Sequence, residues 1–192
     1  MVSLVVGLGN PGRRYSGTRH NLGFMVVEML RERAGEPGEN DACHSALWRT
    51  EVDGREIVMA RPLVFMNRSG GPVRALAERH GASPEEILVV ADDFHLDFGA
   101  LRLRRGGSHG GHNGLRSIIT ALATQEFPRL RIGVGEPPEG EDPADFVLER
   151  FTRDERERLD DLVARAADCV ETVLQSGIEA GMNRYNRPNE GK

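Results

Sequence analysis

The chain has 192 residues and a formal net charge of −5, with 23 glycines, 10 prolines and two cysteines. A chain of this length can bury one substantial core, and no linker or repeat divides it, so we expect a single domain over residues 1–192. No apolar run approaches the length of a membrane span, no signal peptide is expected, and Cys43 and Cys169 fit no zinc or disulfide spacing, which together indicate a cytosolic protein with reduced thiols.

The chain opens with a short apolar strand that breaks into a glycine-rich loop. Leu4 to Val6 is too short and too β-branched for a helix, and the glycines that follow end any strand. Asn10 therefore falls at the carboxyl end of a strand, the edge where ligands gather in open α/β sheets. From there to His20 the loop offers an amide, a phenol, two hydroxyls, three guanidiniums and an imidazole, a set that suits a polar, anionic substrate.

Gly7-x-Gly9-x-x-Gly12 also matches the dinucleotide-binding fingerprint. That fingerprint needs a helix that starts within the motif and donates its free amides to a pyrophosphate. Pro11 removes one amide, and the next helical pattern begins only near Asn21. We therefore expect no dinucleotide site here.

Further along, the pattern predicts a helix from Asn21 that stops at Gly35, and then a loop over residues 36–45. A hairpin follows, with strands Leu47–Val52 and Arg55–Ala60 joined by Asp53-Gly54. A loop then leads into a helix with Pro72 in its first turn.

Phe65, Met66 and Asn67 lie in that loop and have two interpretations. In the first, the two apolar residues belong to the core and Asn67 caps a turn. In the second, all three residues form the wall of a pocket, to which Asn67 contributes an amide. The sequence alone does not choose between them.

A capping-box turn at Ser83–Glu86 precedes a buried strand, Ile87–Ala91, that ends in Asp92-Asp93. Asp92 then stands at the same sheet edge as Asn10 and His20, where an Asp–His pair is geometrically plausible. The alternative is that Asp92 caps a turn.

Basic residues concentrate in the next segment. Residues 99–131 carry six arginines against one acid, net +5, whereas residues 136–171 carry thirteen acids against five arginines, net −8. The strand Gly99–Arg104 alternates apolar and basic residues, so Arg102 and Arg104 should share a solvent face, which Arg131 joins from a later strand. Such a local basic face on an acidic protein is what selective phosphate binding predicts, and the alternative is a solvated charged surface with no ligand.

A glycine-rich loop over residues 106–114 leads into a helix, and an acidic loop, Glu136–Asp142, precedes a short helix that starts at Pro143. Thr152-x-x-Glu155 predicts the start of a long helix with an apolar stripe. From Asn183 onward the tail is polar and is expected to be loose.

Several chemistries are disfavoured by the residues present. His109-x-x-His112 with Asp92, Asp93 or His95 suggests a metal, but zinc-binding histidine pairs usually lie four apart on a helix or with cysteines. There is no Gly-x-Ser-x-Gly elbow, and the only lysine is Lys192. Water activated by a general base remains, with no metal or cofactor.

The motifs resemble those of the bacterial-type peptidyl-tRNA hydrolases, in order and spacing, over almost the whole chain. They are Gly7-Leu8-Gly9-Asn10-Pro11-Gly12, Tyr15, Thr18-Arg19-His20-Asn21, Phe65-Met66-Asn67-Arg68-Ser69-Gly70, Asp92-Asp93 and residues 106–115. The resemblance implies one α/β domain with a twisted mixed sheet flanked by helices on both faces. It also implies a monomer that hydrolyses the ester between a peptide and the 3′ ribose of tRNA and so recycles tRNA for translation.

The resemblance further implies site roles. His20 is the general base, Asp92 orients it and Asn10 discriminates blocked from free aminoacyl ends. The family's substrate contacts correspond to Tyr15, Phe65, Asn67 and Asn113, and its contacts to phosphates of the tRNA acceptor stem correspond to Arg102, Arg104 and Arg131. Asn113, Asn67 or a nearby backbone amide is a candidate for stabilising the oxyanion.

Two positions depart from the family pattern. His95 stands where a second aspartate is common, and Ser108 interrupts a glycine run. We expect neither to remove catalysis, although His95 can alter the local pH dependence. The alternative function is an RNA-binding protein of the same fold that does not hydrolyse its ligand.

Overall fold

The computed structural model describes residues 1–35, the backbone of 39–41, and residues 43–186. Its centre is a mixed seven-stranded sheet of order β2-β3-β4-β1-β5-β7-β6. The strands are β1 (Leu4–Gly7), β2 (Glu39–Asp41), β3 (Ser45–Val52), β4 (Arg55–Pro62), β5 (Ile87–Asp93), β6 (Leu101–Arg104) and β7 (Arg129–Gly133). Buried β-branched and leucine side chains fill β1 and β5, as expected for central strands covered on both faces.

Helices cover both faces of this sheet, which confirms the predicted fold class. They are α1 (Leu22–Ala34), α2 (Gly70–His80), α3 (Asn113–Leu122), α4 (Pro143–Phe146), α5 (Arg153–Glu157) and α6 (Leu159–Tyr185). One apolar cluster joins the sheet to α1 and α6, and a second joins its other face to α2 and α3. None of the described helices combines the length and the apolar character that a membrane span requires.

Four parallel strands determine where the loops that carry the predicted site residues come together. β4, β1, β5 and β7 all run in the same direction, so the loops that leave their carboxyl ends meet at one edge of the sheet. Helix α1 packs closely on this edge, because a Cβ atom on Gly7 would overlap the carbonyl oxygen of Gly23. Glycine at both positions therefore lets the segment that carries His20 approach the strand ends.

Three expectations about individual segments were wrong. Within the expected loop 36–45, residues Glu39–Asp41 form an edge strand antiparallel to β3, whose own first residue is Ser45. The predicted long helix is divided at Arg158 into α5 and α6, and α6 has a further break at Gly177, which has φ 84° and ψ 169°.

The expectation of a loose tail from Asn183 was wrong for its first residues. Helix α6 continues to Tyr185, whose side chain is buried. The side chain of Asn186 pairs with the backbone of Leu103, accepting its N–H at 2.7 Å and donating to its carbonyl at 2.9 Å. Residues 187–192 lie outside the described residues.

Candidate active site

His20 lies in a single 3₁₀ turn, Arg19–Asn21, between the opening loop and α1. Its backbone N–H donates to the carbonyl of Val147 at 2.8 Å, so the turn is tied to the segment that follows α4. The side chain is buried and lines a cleft of about 460 Å³. No helix begins inside the Gly7–Gly12 motif, and the first helical turn after it starts at Arg19.

Asp92, at the end of β5, pairs with His20 as predicted. The Nδ1 atom of His20 lies 2.9 Å from Oδ1 and 3.0 Å from Oδ2 of Asp92. An ionised carboxylate can only accept, so Nδ1 carries the proton and Nε2 is left as the basic nitrogen. Nε2 forms no hydrogen bond with any described residue.

Electrostatics favour a titratable His20 beside an ionised Asp92. Burial alone lowers the pKa of His20, but the charge and hydrogen bond of Asp92 outweigh it and raise that pKa above the ordinary value. Burial alone raises the pKa of Asp92, whereas His20 and His112 hold it well below its usual range. The carboxylate therefore stays charged and stabilises an imidazolium at His20.

His112 is a member of the site that the sequence reasoning did not assign. Its Nδ1 atom accepts the backbone N–H groups of Gly114 and Leu115 at 3.1 and 3.2 Å and so caps α3. Because Nδ1 accepts, the ring proton is on Nε2, which lies 3.1 Å from Asp92 Oδ1 and donates to it. Histidine is not among the preferred capping residues, so the sequence pattern carried no clear signal for this role.

Asn10 is held in place by a reciprocal pair with Asn21. Its N–H donates to Asn21 Oδ1 at 2.8 Å, and its carbonyl accepts from Asn21 Nδ2 at 2.9 Å. The side-chain Oδ1 of Asn10 accepts the N–H of Met66 at 2.8 Å. Asn10 therefore joins the loop after β1 to the loop after β4, and Asn21 is a second residue whose role the sequence reasoning missed.

The cleft beside His20 brings together all the predicted substrate contacts. Tyr15 and Phe65 form one wall, with ring centroids 6.4 Å apart in an edge-to-face arrangement, and Asn67 and Asn113 also line the cleft. Phe65 is 54% exposed whereas Met66 is 4% exposed. Of the two interpretations of this segment, the pocket wall thus applies to Phe65 and Asn67, and the core to Met66.

Helix α4 and the residues after it also line the cleft, through Ala144, Val147 and Leu148, and Arg19 anchors this segment. The guanidinium of Arg19 donates to the carbonyls of Phe146 and Arg150, both at 3.3 Å, and to Glu155 at 2.9 Å. It also stacks on the ring of Phe146 at 4.2 Å. A buried arginine next to His20 thus connects the general-base candidate to the part of the cleft lining that α4 and the residues after it form.

The predicted basic face is present on β6 and β7. Arg102 lies opposite Arg131, and Arg104 opposite Arg129, so all four side chains share one face of the sheet. Arg104 is exposed and Arg102 half-buried, and Arg131 forms an ion pair with Asp93.

Arg129 lies on this face, but its side chain is buried and stabilises the fold. Its guanidinium donates to the carbonyls of Gly107, Ser108 and Gln125. Burial lowers its pKa to about 10. Arg129 therefore holds the glycine-rich loop that leads to His112.

The candidate metal ligands are only partly brought together. Within the described residues, one cluster has metal-ligating atoms that all lie within 4.8 Å: His20, Asp92 and His112. It does not include His109, whose Nδ1 atom accepts the N–H of Gly111, or the exposed His95, which stacks on Phe94 at 4.2 Å. In the cluster, the nitrogens that face Asp92 carry protons and donate to it, so its donor set is already satisfied by hydrogen bonds.

Comparisons with known proteins identify the family of this chain. A family model described as peptidyl-tRNA hydrolase matches residues 4–192. A peptidyl-tRNA hydrolase of Nocardia farcinica is 49% identical over 185 residues, covering 96% of each chain, and one of Chloroflexus aurantiacus is 50% identical over 184 residues, covering 95% of this chain and 98% of its own. The crystal structure of the Acinetobacter baumannii peptidyl-tRNA hydrolase superposes with a TM-score of 0.90 at 38% identity, covering 96% of this chain and 94% of that one. The chain therefore belongs to the peptidyl-tRNA hydrolase family.

Proposed function

We propose that this family member hydrolyses the ester that joins a peptide to the 3′ ribose of tRNA, with water activated by His20. One observation carries the proposal. The Nδ1 atom of His20 donates its proton to a hydrogen bond with Asp92. Its Nε2 atom is therefore the basic nitrogen, in a cleft lined by neutral amides and aromatic rings. This arrangement suits proton transfer from water near neutral pH.

In the proposed reaction, Nε2 of His20 takes a proton from water as the water oxygen attacks the ester carbonyl carbon. The tetrahedral oxyanion then collapses, the bond to the ribose 3′ oxygen breaks, and the imidazolium returns its proton to that oxygen. Asp92 stabilises the imidazolium through its charge and its hydrogen bond. The products are a peptide acid and tRNA with a free 3′ hydroxyl.

Donors for the oxyanion must come from the groups that line the cleft. Among the candidates named for this role, the Met66 amide is already used by Asn10, whereas the side chains of Asn67 and Asn113 line the cleft. Asn113 Oδ1 accepts from the guanidinium of Arg116 at 2.8 Å, which fixes the orientation of the amide and leaves Nδ2 as a donor. Asn113 is therefore our candidate for the oxyanion contact, and Asn67, Tyr15 and Phe65 bind the ester-linked residue.

The basic face is proposed to bind phosphates of the acceptor stem. Arg104 lies opposite Arg129, which itself pairs with Val89, three residues before Asp92 on β5. At about 3.3 Å per residue, Arg104 lies roughly 10 Å along the sheet from the level of Asp92. Arg104 would thus contact a part of the tRNA separate from its 3′ ester, whereas Arg131, paired with Ala91, and Arg102 lie nearer the level of Asp92. Phosphate contacts carry no base information.

We further propose that the reaction needs no metal and that the chain acts as a monomer in the cytosol. In support, the one cluster of potential metal ligands among the described residues is His20, Asp92 and His112, and these side chains already form hydrogen bonds with one another.

The test is turnover of N-acetyl-aminoacyl-tRNA compared with unblocked aminoacyl-tRNA. The proposal predicts release of the N-acetyl amino acid and much slower cleavage of the unblocked substrate, a difference that Asn10→Ala reduces. Folded protein that binds tRNA without cleaving either substrate would support the RNA-binding alternative.

A further inference from the structure

A second cavity, of about 430 Å³, adjoins the cleft on the other side of Asn10. Asn10 lines both spaces, and the loop after β1 contributes Tyr15 to the cleft but Arg13 and Ser16 to the cavity. Phe24, Met25 and Leu63 supply its apolar surface. A peptide that continues past Asn10 from the cleft would therefore enter this space.

The charges around the cavity favour an anion. Its cations are Arg13 and Arg61, and neither forms an ion pair with a described residue. Its single carboxylate, Glu28, is already paired with Arg31, whose Nε atom lies 2.9 Å from Oε1. The guanidiniums of Arg13 and Arg61 thus remain without a carboxylate partner at the cavity.

Arg61 is the more constrained of the two cations. It is half-buried beside Phe24, with its guanidinium carbon 5.6 Å from the ring centroid. Its Nε atom is buried and has no hydrogen-bond partner among the described residues. Because Arg61 lines the cavity, a carboxylate that entered it would meet a guanidinium that has no ion-pair partner among the described residues.

We propose that this cavity is a subsite for the peptide upstream of the ester-linked residue, and that Arg61, with Arg13, makes it prefer an acidic side chain there. The inference rests on the proposed function and adds a substrate preference to it. Apolar contacts with Phe24, Met25 and Leu63 accept the methylene groups of such a side chain, and the guanidiniums accept its carboxylate.

The test compares matched N-acetylated peptidyl-tRNAs on one tRNA, with Glu or Gln as the second or the third residue from the ester. N-acetyl-alanyl-tRNA, too short to reach the cavity, reports basal activity. The enzymes are the wild type, Arg61→Gln, Arg61→Glu and Arg13→Gln, with Arg153→Gln as a control at an arginine whose side chain is 86% exposed. Thermal unfolding of each variant checks that it is folded.

We expect the wild type and the control to prefer Glu over Gln by about threefold to fivefold in kcat/KM at one of the two positions, as for a solvent-open ion pair. Arg61→Gln should remove the preference and Arg61→Glu should reverse it, with N-acetyl-alanyl-tRNA cleaved at the wild-type rate. Equal rates for Glu and Gln at both positions in the wild type would overturn the subsite. A fall in kcat/KM in Arg61→Gln that is the same for every substrate would also overturn the subsite, because Arg61 would then contact the tRNA that all the substrates share. No turnover of N-acetyl-alanyl-tRNA by the folded wild type would instead overturn the proposed function.

Discussion

His112 donates a hydrogen bond from Nε2 to Oδ1 of Asp92, the same oxygen that lies 2.9 Å from His20 Nδ1. Two imidazoles thus fix one buried carboxylate, and their ring centroids are 4.8 Å apart. Since His112 also caps α3, the position of that helix is coupled to the orientation of Asp92 and, through it, of His20. The site therefore depends on a wider set of contacts than a His–Asp pair alone.

Replacing Asp92 with Asn should change both the rate and its pH dependence. His20 acts as a base only when it is neutral, so wild-type activity should fall as the pH drops through its raised pKa. Without the carboxylate, burial dominates and lowers that pKa, so the acid limb should move to lower pH. We expect kcat/KM at neutral pH to fall by at least about 10²-fold. A pH–rate profile of both proteins checks this, and an acid limb that stays in place in Asp92→Asn would contradict the assignment of His20.

Two substitutions at His112 should separate its two roles. His112→Ala loses both the cap and the contact with Asp92, so we expect about 1 kcal/mol of lost stability and about a tenfold lower kcat. His112→Asn restores a good cap but not the contact with Asp92, so it should regain stability while kcat stays low. Urea unfolding and steady-state kinetics measure the two effects. Recovery of kcat together with stability in His112→Asn would show that the residue acts only as a cap.

Arg19→Ala should destabilise the wall of the cleft that α4 forms. The change removes hydrogen bonds to the carbonyl groups of Phe146 and Arg150 and to Glu155, together with stacking on Phe146. We expect a loss of about 2 kcal/mol in the free energy of unfolding, with a rise in KM. Urea unfolding measures it, and Arg153→Ala is the control because its side chain is 86% exposed. Equal stability of the two variants would argue against the anchoring role of Arg19.

Arg104→Ala should weaken tRNA binding in a salt-dependent way. Loss of one phosphate contact should reduce the slope of log K against log salt concentration by about 0.7 to 0.9. Binding of deacylated tRNA over a range of salt concentrations measures the slope, again with Arg153→Ala as the control. An unchanged slope in Arg104→Ala would contradict the assignment of the basic face.

Much of the fold followed from local pattern. The alternation of Leu101–Arg104 correctly placed Arg102 and Arg104 on one face, and the strand that ends in Asp92 brought that carboxylate to His20. The strand Glu39–Asp41 could not be predicted in this way, because three polar residues show no alternation and its pairing with β3 is tertiary.

The parts of the site that the sequence did not reveal depend on long-range contacts. Arg19 contacts residues more than 120 positions later in the chain, and no local sequence pattern predicts such a contact. Likewise, the sequence shows His112 only as part of a glycine-rich loop, and its contact with Asp92 at the end of β5 depends on the tertiary structure. The motif resemblance located the cleft, but only the tertiary structure showed what holds its walls.

The most direct test of the account is hydrolysis of N-acetyl-aminoacyl-tRNA by the wild type and by His20→Ala, each with and without a chelator. The chelator should leave wild-type turnover unchanged, and a folded His20→Ala protein should turn over at least about 10²-fold more slowly. Turnover that the chelator abolishes, or that survives in His20→Ala, would contradict a metal-free site with His20 as its base.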